Sequence, residues 1–507
     1  MEDAIEPAER LDFDQATARF VEWFTAADGT RLSPKVQLKD LRSEGAGRGA
    51  IAVEDVEEDE ELFAIPRSLV LTVTTSSIPP ALLEPLSETG AWQPLIVTII
   101  YEYLRKEKSP WHAYFQVLPT KFDSLMFWNA AELDTLQASA VVDKISRSQA
   151  EESWKETMIP VMLSHPELFP VPGQSDSART AELIKLAHIA GSSIMAYAFD
   201  IDKDGDKEDA SNDSDDEFEE DDEDEPLKGM VPLADMLNAD ADKNNVRCLL
   251  FIRLHYGKLT WVFIQARLFQ ENDYLIMRST KQIRAGEQIF NDYGPLPRSD
   301  LLRMYGYITD NYAQYDVVEI SHDLLLEVAG KKHAKDATWL NRAQQLEEIG
   351  IIDDGYAIPR PAAEAGKLEK AIPGQIHMLL RALCTEAIKT PKDTVTIKEA
   401  ALLQSALTKR LSEYGTSLEA DRSVLELLAR SEPGNSLIPS GCDEHRYAMA
   451  LQVRIGEKEI LHQLIGLCQA HIAHKNQEIT AVSTKRQSSD DSDNKPKKAA
   501  RKDNTRG

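Results

Sequence analysis

Apolar positions along the chain follow two different periods. From residue 36 to 73 short apolar runs alternate with glycine- and acid-rich turns, which predicts strands. Ahead of them, residues 15–30 place Phe20, Trp23 and Phe24 on one side of a predicted helix. Helical spacing returns over residues 90–190. There, 94–104 begins as an apolar helix, and Trp111, Tyr114, Phe115 and Leu118 follow at near-helical intervals. Two apolar runs, 246–254 and 259–266, flank His255, Tyr256, Gly257 and Lys258 as the arms of a hairpin would. Residues 274–280 and 283–290 read as a second strand pair around Ala285 and Gly286. From about residue 320 the spacing is that of long amphipathic helices. Thr396 and Glu399 have the spacing of a capping box, with Ala400, Leu403, Leu407, Leu411 and Tyr414 on one face behind it. Residues 447–465 form a second such helix.

Composition narrows the class. With 507 residues, 42% hydrophobic and 28% charged, the chain has room for two or three domains with sizeable cores, which excludes a wholly disordered or disulfide-stapled chain. No run approaches the roughly 18 apolar residues of a membrane span, and the acidic first residues lack a signal peptide's basic and apolar regions. Cys248, Cys384, Cys442 and Cys468 lie far apart with no CxxC, the usage of a reducing compartment.

The net charge of −28 is mostly local. Residues 200–225 hold 17 acidic residues against two lysines, a net of −15, so the other 481 residues carry −13. Such a block cannot bury apolar surface and is expected to be a disordered loop. It is open to two readings: a solvated spacer, or a steering patch for a basic, lysine-rich protein. Nucleic acid does not suit it. At the other end, residues 483–507 are polar with Lys495, Lys497, Lys498, Arg501 and Lys502 clustered. That is the pattern of a disordered tail and of a nuclear-import signal.

Three segments carry candidate chemistry. In Glu44-Gly45-Ala46-Gly47-Arg48-Gly49, alternating glycines let backbone approach a ligand, although a tight turn alone would look the same. A strand follows it, not a helix, so it is no dinucleotide fingerprint. In Pro232-Leu233-Ala234-Asp235-Met236-Leu237-Asn238, the Asn amide can donate to and accept from a ligand, or merely cap a turn. In Asn291-Asp292-Tyr293-Gly294 and Met304-Tyr305-Gly306-Tyr307, phenols sit among apolar residues, either packing as ordinary buried rings or lining a narrow channel.

Taken in this order, the three segments resemble the signatures of SET-domain protein-lysine methyltransferases. The likeness points to the branch holding the plant Rubisco large-subunit methyltransferase and the fungal ribosomal-protein lysine methyltransferases. The run Ile194-Met195-Ala196-Tyr197-Ala198-Phe199 resembles the helix that precedes the Asn motif in that branch. The runs 410–419 and 453–458 resemble its helical substrate-binding domain, and the likeness covers roughly residues 15–475. One departure stands out: the branch carries Asn-His in the second motif, whereas here Ala239 follows Asn238.

The resemblance implies an α+β fold: a β-rich SET domain over 20–310 after a lead-in of 1–19, with a helical insert at about 90–195 and the acidic loop at 200–226. An all-α substrate-binding domain over 311–475 and a basic tail over 476–507 complete it. It implies S-adenosyl-L-methionine as cofactor, held by Ala46, Gly47, Arg48 (through its backbone), Tyr197, Asn238, Ala239 and Tyr293. Tyr293 is the implied catalytic residue, orienting amine and methyl, and Tyr305 walls the substrate channel. The implied partner is a basic ribosomal or nuclear protein with an exposed lysine, with no direct nucleic acid, membrane or metal. The implied location is the nucleus, with the cytoplasm as a second compartment. A different class of reading also follows from Ala239: a catalytically silent SET module that binds a basic protein as an adaptor.

Overall fold

A computed structural model describes residues 12–201, 227–244, 269–271, 273–332, 337–362, 366–384, 394–430 and 437–493. The predicted hairpin at 246–266, all but the first two residues of the acidic block, and the end of the tail lie outside the described residues. The chain divides into two units. Residues up to Asp316, apart from 256–258, form the first together with 424–453; Val317–Ser423 and the residues from Arg454 onward form the second.

The first unit opens with α1 (Phe13–Ala26), capped by Asp12, whose carboxylate accepts the Gln15 N–H at 2.8 Å. Phe20 and Phe24, one turn apart, are its buried side. Strands β1 (Arg31–Leu32), β2 (Val36–Asp40), β3 (Arg48–Ala52) and β4 (Glu61–Pro66) follow. Strands β2 and β3 pair antiparallel from Val36↔Ala52 to Asp40↔Arg48, and Gly45, at φ 78°, turns the chain between them. Every residue of β4 from Leu62 to Pro66 is buried, as its central place in a sheet requires.

The insert consists of α2 (Trp92–Leu104), α3 (His112–Phe115), α4 (Ala130–Asp134), α5 (Arg147–Glu156), α6 (Met158–Ser164) and α7 (Asp176–Tyr197). Helix α7 runs directly into β5 (Ala198–Ile201), which pairs with β6 (Leu227–Met230). Strands β7 (Phe269–Glu271), β8 (Tyr274–Arg278) and β9 (Gln288–Ile289) and helix α8 (Arg298–Tyr305) complete the described elements of this unit up to residue 305. Side chains of α1, β4, α2, α3 and α7 meet in one apolar core.

The strand pair expected around Ala285 does not form. Strand β8 pairs with β4 and β7 in a sheet of order β1-β4-β8-β7, while β9 joins β3 in the sheet β2-β3-β9. The partner of β9, and β4 as one of the two partners of β8, lie more than 200 residues away, and local spacing does not encode such pairing.

The second unit holds β10 (Val317–Ser321), α9 (His322–Val328), α10 (Ala337–Glu348), β11 (Gly355–Pro359), α11 (Leu368–Ala371), α12 (Gly374–Cys384) and α13 (Ile397–Ser412). Helices α14 (Leu418–Arg430) and α15 (Glu444–Asp493) follow. The unit is helical, but the expectation of an all-α domain needs one correction. Strands β10 and β11 pair antiparallel from Val317↔Pro359 to Ser321↔Gly355, burying Val318, Ile320, Tyr356 and Ile358. Alternating apolar residues make strands of both segments, though each is short enough to hide among helical neighbours.

The capping box forms as its spacing predicts. Thr396 Oγ1 accepts the Glu399 N–H at 3.2 Å, and Glu399 Oε2 accepts the Thr396 N–H at 2.8 Å. Ala400, Leu403 and Leu407 are fully buried behind it. Helix α15 extends to Asp493, well past the predicted end at residue 465 and into the predicted tail.

A buried charge network ties α14 to α15 within this unit. Asp421, 1% exposed, accepts from Arg454 Nη2 at 2.7 Å and from Lys458 Nζ at 2.6 Å. Lys458 Nζ also donates to the Thr416 carbonyl at 2.8 Å. Among the described residues, no helix is long and apolar enough to cross a membrane.

Candidate active site

The three motif segments meet in the first unit around a cleft of about 710 Å³. One wall is the β2–β3 turn, which presents Ala46, Gly47 and the start of β3 at Arg48. Another is the run from Asp235 to Asp240; Tyr197 at the end of α7, Tyr293, Tyr305 and Tyr307 close the cleft. The structure therefore brings together every residue singled out as a cofactor, catalytic or channel residue.

Close backbone approach makes this convergence possible. A Cβ on Gly49 would lie 2.7 Å from Asn238 Nδ2 and 2.5 Å from both Gln288 Nε2 and Leu41 Cδ1, so any side chain there would push the Asn238 amide away. Asn238 Nδ2 is buried and has no hydrogen-bond partner among the described residues, on a residue that lines the cleft. The two later motifs are joined by main chain: Ala239 and Asn291 form a parallel bridge, with the Asn291 N–H donating to the Asn238 carbonyl at 2.8 Å. Position 239 makes this contact through its backbone, so alanine preserves it.

Arg48 directs its side chain elsewhere. Its Nε donates to Thr17 Oγ1 and its Nη1 to the Val117 carbonyl, both at 2.9 Å, and the guanidinium lies 4.1 Å from the Phe13 ring centre. The side chain thereby fastens α1 and the segment after α3 to β3.

A narrow channel of about 20 Å³ shares Tyr197, Asp235, Leu237, Tyr293 and Tyr305 with the cleft. The Tyr293 and Tyr305 rings stack with centres 4.3 Å apart and planes 9° from parallel. Tyr293 OH donates to the Leu237 carbonyl at 3.5 Å, a long contact that leaves the hydroxyl free to engage a ligand. Burial pushes the Tyr293 hydroxyl well above the ordinary phenol range, with the neighbouring phenols adding to the effect, and pushes Tyr197 up to about 12. Tyr305 is placed by its helix end. Gly306 closes α8 at φ 77°, and a Cβ there would sit 2.6 Å from the Ser124 nitrogen.

Two features escaped the sequence reading. Asp235 lies inside the second motif but was not singled out, and Tyr114, read only as a helix-face residue, donates its hydroxyl to Asp235 Oδ2. Burial raises the Asp235 carboxyl to about 7, against the lowering effect of that hydrogen bond. Ahead of it, Leu233 is fully buried at φ 78°, ψ −44°, a strained backbone for a branched side chain. A leucine at positive φ leaves no mark in the sequence.

The SET domain family profile matches residues 47–294, and the Rubisco LSMT substrate-binding profile matches residues 361–461. The chain carries a SET domain followed by a Rubisco LSMT substrate-binding domain. It is 33% identical to Ribosomal lysine N-methyltransferase 4 of Saccharomyces cerevisiae over 338 residues, 65% of this chain and 63% of that protein's length. It is 28% identical to N-lysine methyltransferase SETD6 of Mus musculus over 89% of this chain and 90% of that protein. A solved structure of the SET domain of LSMT bound to lysine and AdoHcy shares the fold at a TM-score of 0.62 and 20% identity, covering 92% of this chain and 94% of that one.

S-adenosylmethionine is the methyl donor of this family, and the residues present fit it. The cleft is large enough for a nucleoside joined to an amino acid, the Gly45–Gly47 backbone borders it without side-chain cover, and the Asn238 amide offers an unmet donor. Among the described residues, no three His, Cys, Asp or Glu side chains are grouped as metal ligands would be.

Proposed function

We propose that this SET methyltransferase modifies a lysine on a basic protein of the large ribosomal subunit and works in the nucleus, with the cytoplasm as a second compartment. The observation carrying the substrate reading is the likeness to the yeast ribosomal lysine methyltransferase, the most identical relative reported above. The acidic block of net −15, which suits a lysine-rich partner, supports it. The basic cluster from Lys495 to Lys502 supports the nuclear location.

The bound cofactor supplies a methyl group on a sulfonium, which is already a good leaving group, so the protein's task is alignment and a neutral amine. The Gly45–Gly47 backbone, Ala46, Arg48 through its main chain, Tyr197, Asn238 and Ala239 hold the cofactor. Tyr293 orients the reacting groups through its hydroxyl and Tyr305 walls the channel beside it. A lysine amine is mostly protonated at neutral pH, with a pKa of about 10.4. The aromatic channel strips water from the head group and so disfavours its charged form. Alignment of this kind accounts for about 7–11 kcal/mol of barrier lowering in well-oriented reactions.

The test is direct. Large-subunit ribosomal proteins from cells lacking this enzyme, incubated with it and labelled cofactor, should yield one labelled lysine by mass spectrometry. Label confined to non-ribosomal proteins in a whole lysate would refute the substrate reading.

Two further outcomes follow from these roles. Asn238→Ala should weaken cofactor binding about tenfold by calorimetry with kcat nearly kept, because a hydrogen bond to the cofactor is lost. Replacing residues 202–225 with a neutral Gly/Ser segment, which keeps β5 intact, should lower kcat/KM for full-length basic substrate at low salt, leaving kcat unchanged. At high salt the two forms should converge, since screening removes steering.

A further inference from the structure

A channel that accepts a lysine must also dispose of its proton. Asp235 is placed for this, on the boundary between the narrow channel and the open cleft and lining both. One carboxylate oxygen, Oδ2, accepts the Tyr114 hydroxyl, while Oδ1 is buried and has no hydrogen bond of ordinary geometry among the described residues, with only the Leu233 and Asp235 main-chain N–H groups acting on the carboxyl from nearby. A buried carboxylate oxygen left without a donor is a costly arrangement unless a donor arrives with a ligand. Tyr114 is itself fixed, fully buried and stacked at 10° against Trp23, so the carboxylate is held from behind on a residue that lines both the channel and the cleft.

The other channel groups do not compete. Tyr197, Tyr293 and Tyr305 keep their protons because burial raises all three. The remaining described lining residues, Asn291 and apolar side chains, carry no base. The charged and titratable groups facing Asp235 are Tyr114 from α3, Tyr197 from α7 and Arg48 from β3, with Tyr293 and Tyr305 across the channel.

We infer that Asp235 is the catalytic base that receives the proton a substrate lysine ammonium must shed before methylation. An N–H bond of the ammonium breaks and its electron pair remains on nitrogen as the lone pair. An O–H bond forms at Oδ1, and the proton then leaves to water through the cleft. This assignment rests on the methyltransferase reading and adds a residue to it. A carboxyl titrating at about 7 suits such a role, being ionised enough to accept and basic enough to draw the proton.

The test compares the full-length protein with Asp235→Asn and Tyr114→Phe, using labelled cofactor and acid-extracted ribosomal protein as the amine probe. The unsubstituted enzyme should show kcat/KM rising through about pH 7 to a plateau. Asp235→Asn should fall about 10²–10³-fold at pH 8, lose the plateau and gain tenfold per pH unit toward the amine's own pKa of about 10.4. Its cofactor affinity by calorimetry should stay within about twofold. Tyr114→Phe, nearly isosteric, removes a donor that favours the carboxylate and should move the acid limb to higher pH. Independently of any substrate, protein labelled with ¹³C-aspartate should show a carboxyl resonance titrating near 7 that is missing from Asp235→Asn.

An active enzyme whose Asp235→Asn variant keeps the original pH profile would overturn this assignment alone, as would the absence of any aspartate resonance titrating between about pH 6 and 8. No transfer to ribosomal protein by the unsubstituted enzyme at any pH would overturn the ribosomal substrate reading, and the aspartate resonance would then decide the assignment by itself.

Discussion

Tyr293→Phe should lower kcat by about 10²–10³-fold while cofactor affinity stays within about twofold. The ring is held by stacking on Tyr305 at 4.3 Å, and phenylalanine keeps that stack. Only the hydroxyl is lost, and among the described residues its hydrogen bond is a 3.5 Å approach to the Leu237 carbonyl. Folding therefore depends little on it, and the loss belongs to the step in which amine and methyl are oriented. Steady-state kinetics with calorimetry separate the two quantities. A fall in cofactor affinity to match the fall in kcat would mean that Tyr293 anchors the cofactor and does not align the reaction.

Asp421→Ala should destabilise the second unit by about 3–5 kcal/mol, the cost of leaving buried charge without its counter-ion. Arg454 and Lys458, 2% and 0% exposed, both donate to this one carboxylate. Burial already lowers the Lys458 pKa, and Asp421 is the main group opposing that shift. Its removal should leave Lys458 neutral in the folded state and protonated in the unfolded one. Chemical denaturation followed by circular dichroism would read the change. A loss below about 1 kcal/mol would mean that water enters and solvates the cations, as at an exposed pair. Cofactor binding should be unaffected, since none of the three residues lines the cleft.

What the sequence revealed depended on how local each signal was. Phe20 and Phe24 mark the buried side of α1 because both partners of the pattern lie within one helix. The Thr396–Glu399 box is legible because capping is a contact three residues long. The cleft residues were found only by the order of three segments, since no segment alone distinguishes a ligand turn from a plain one. The failures share a cause. Strand β8 was assigned the wrong partner because its true neighbour, β4, is about 210 residues earlier. The β10–β11 pair was missed among helices for the same reason. Asp235 passed unnoticed because a carboxylate draws attention by its charge, and what sets this one apart is burial against Tyr114 from a distant helix.

The parallel bridge between Ala239 and Asn291 and the pairing of Ala50 with Ile289 have a consequence for how the protein is made. Arg48 and Tyr293 are 245 residues apart, so at about 5–20 residues per second a ribosome needs about 12–50 s after finishing one wall of the cleft to deliver the other. During that interval the β2–β3 hairpin can form, because its contacts are local, but it has nothing to close against. The nascent chain therefore lacks a complete cleft until Tyr305 has emerged. Once the cleft closes, cofactor at a hundred times its Kd stabilises the finished fold by about 2.7 kcal/mol. In a cell the supply of methyl donor thus acts late, as a selection for completed chains over those whose synthesis stopped short.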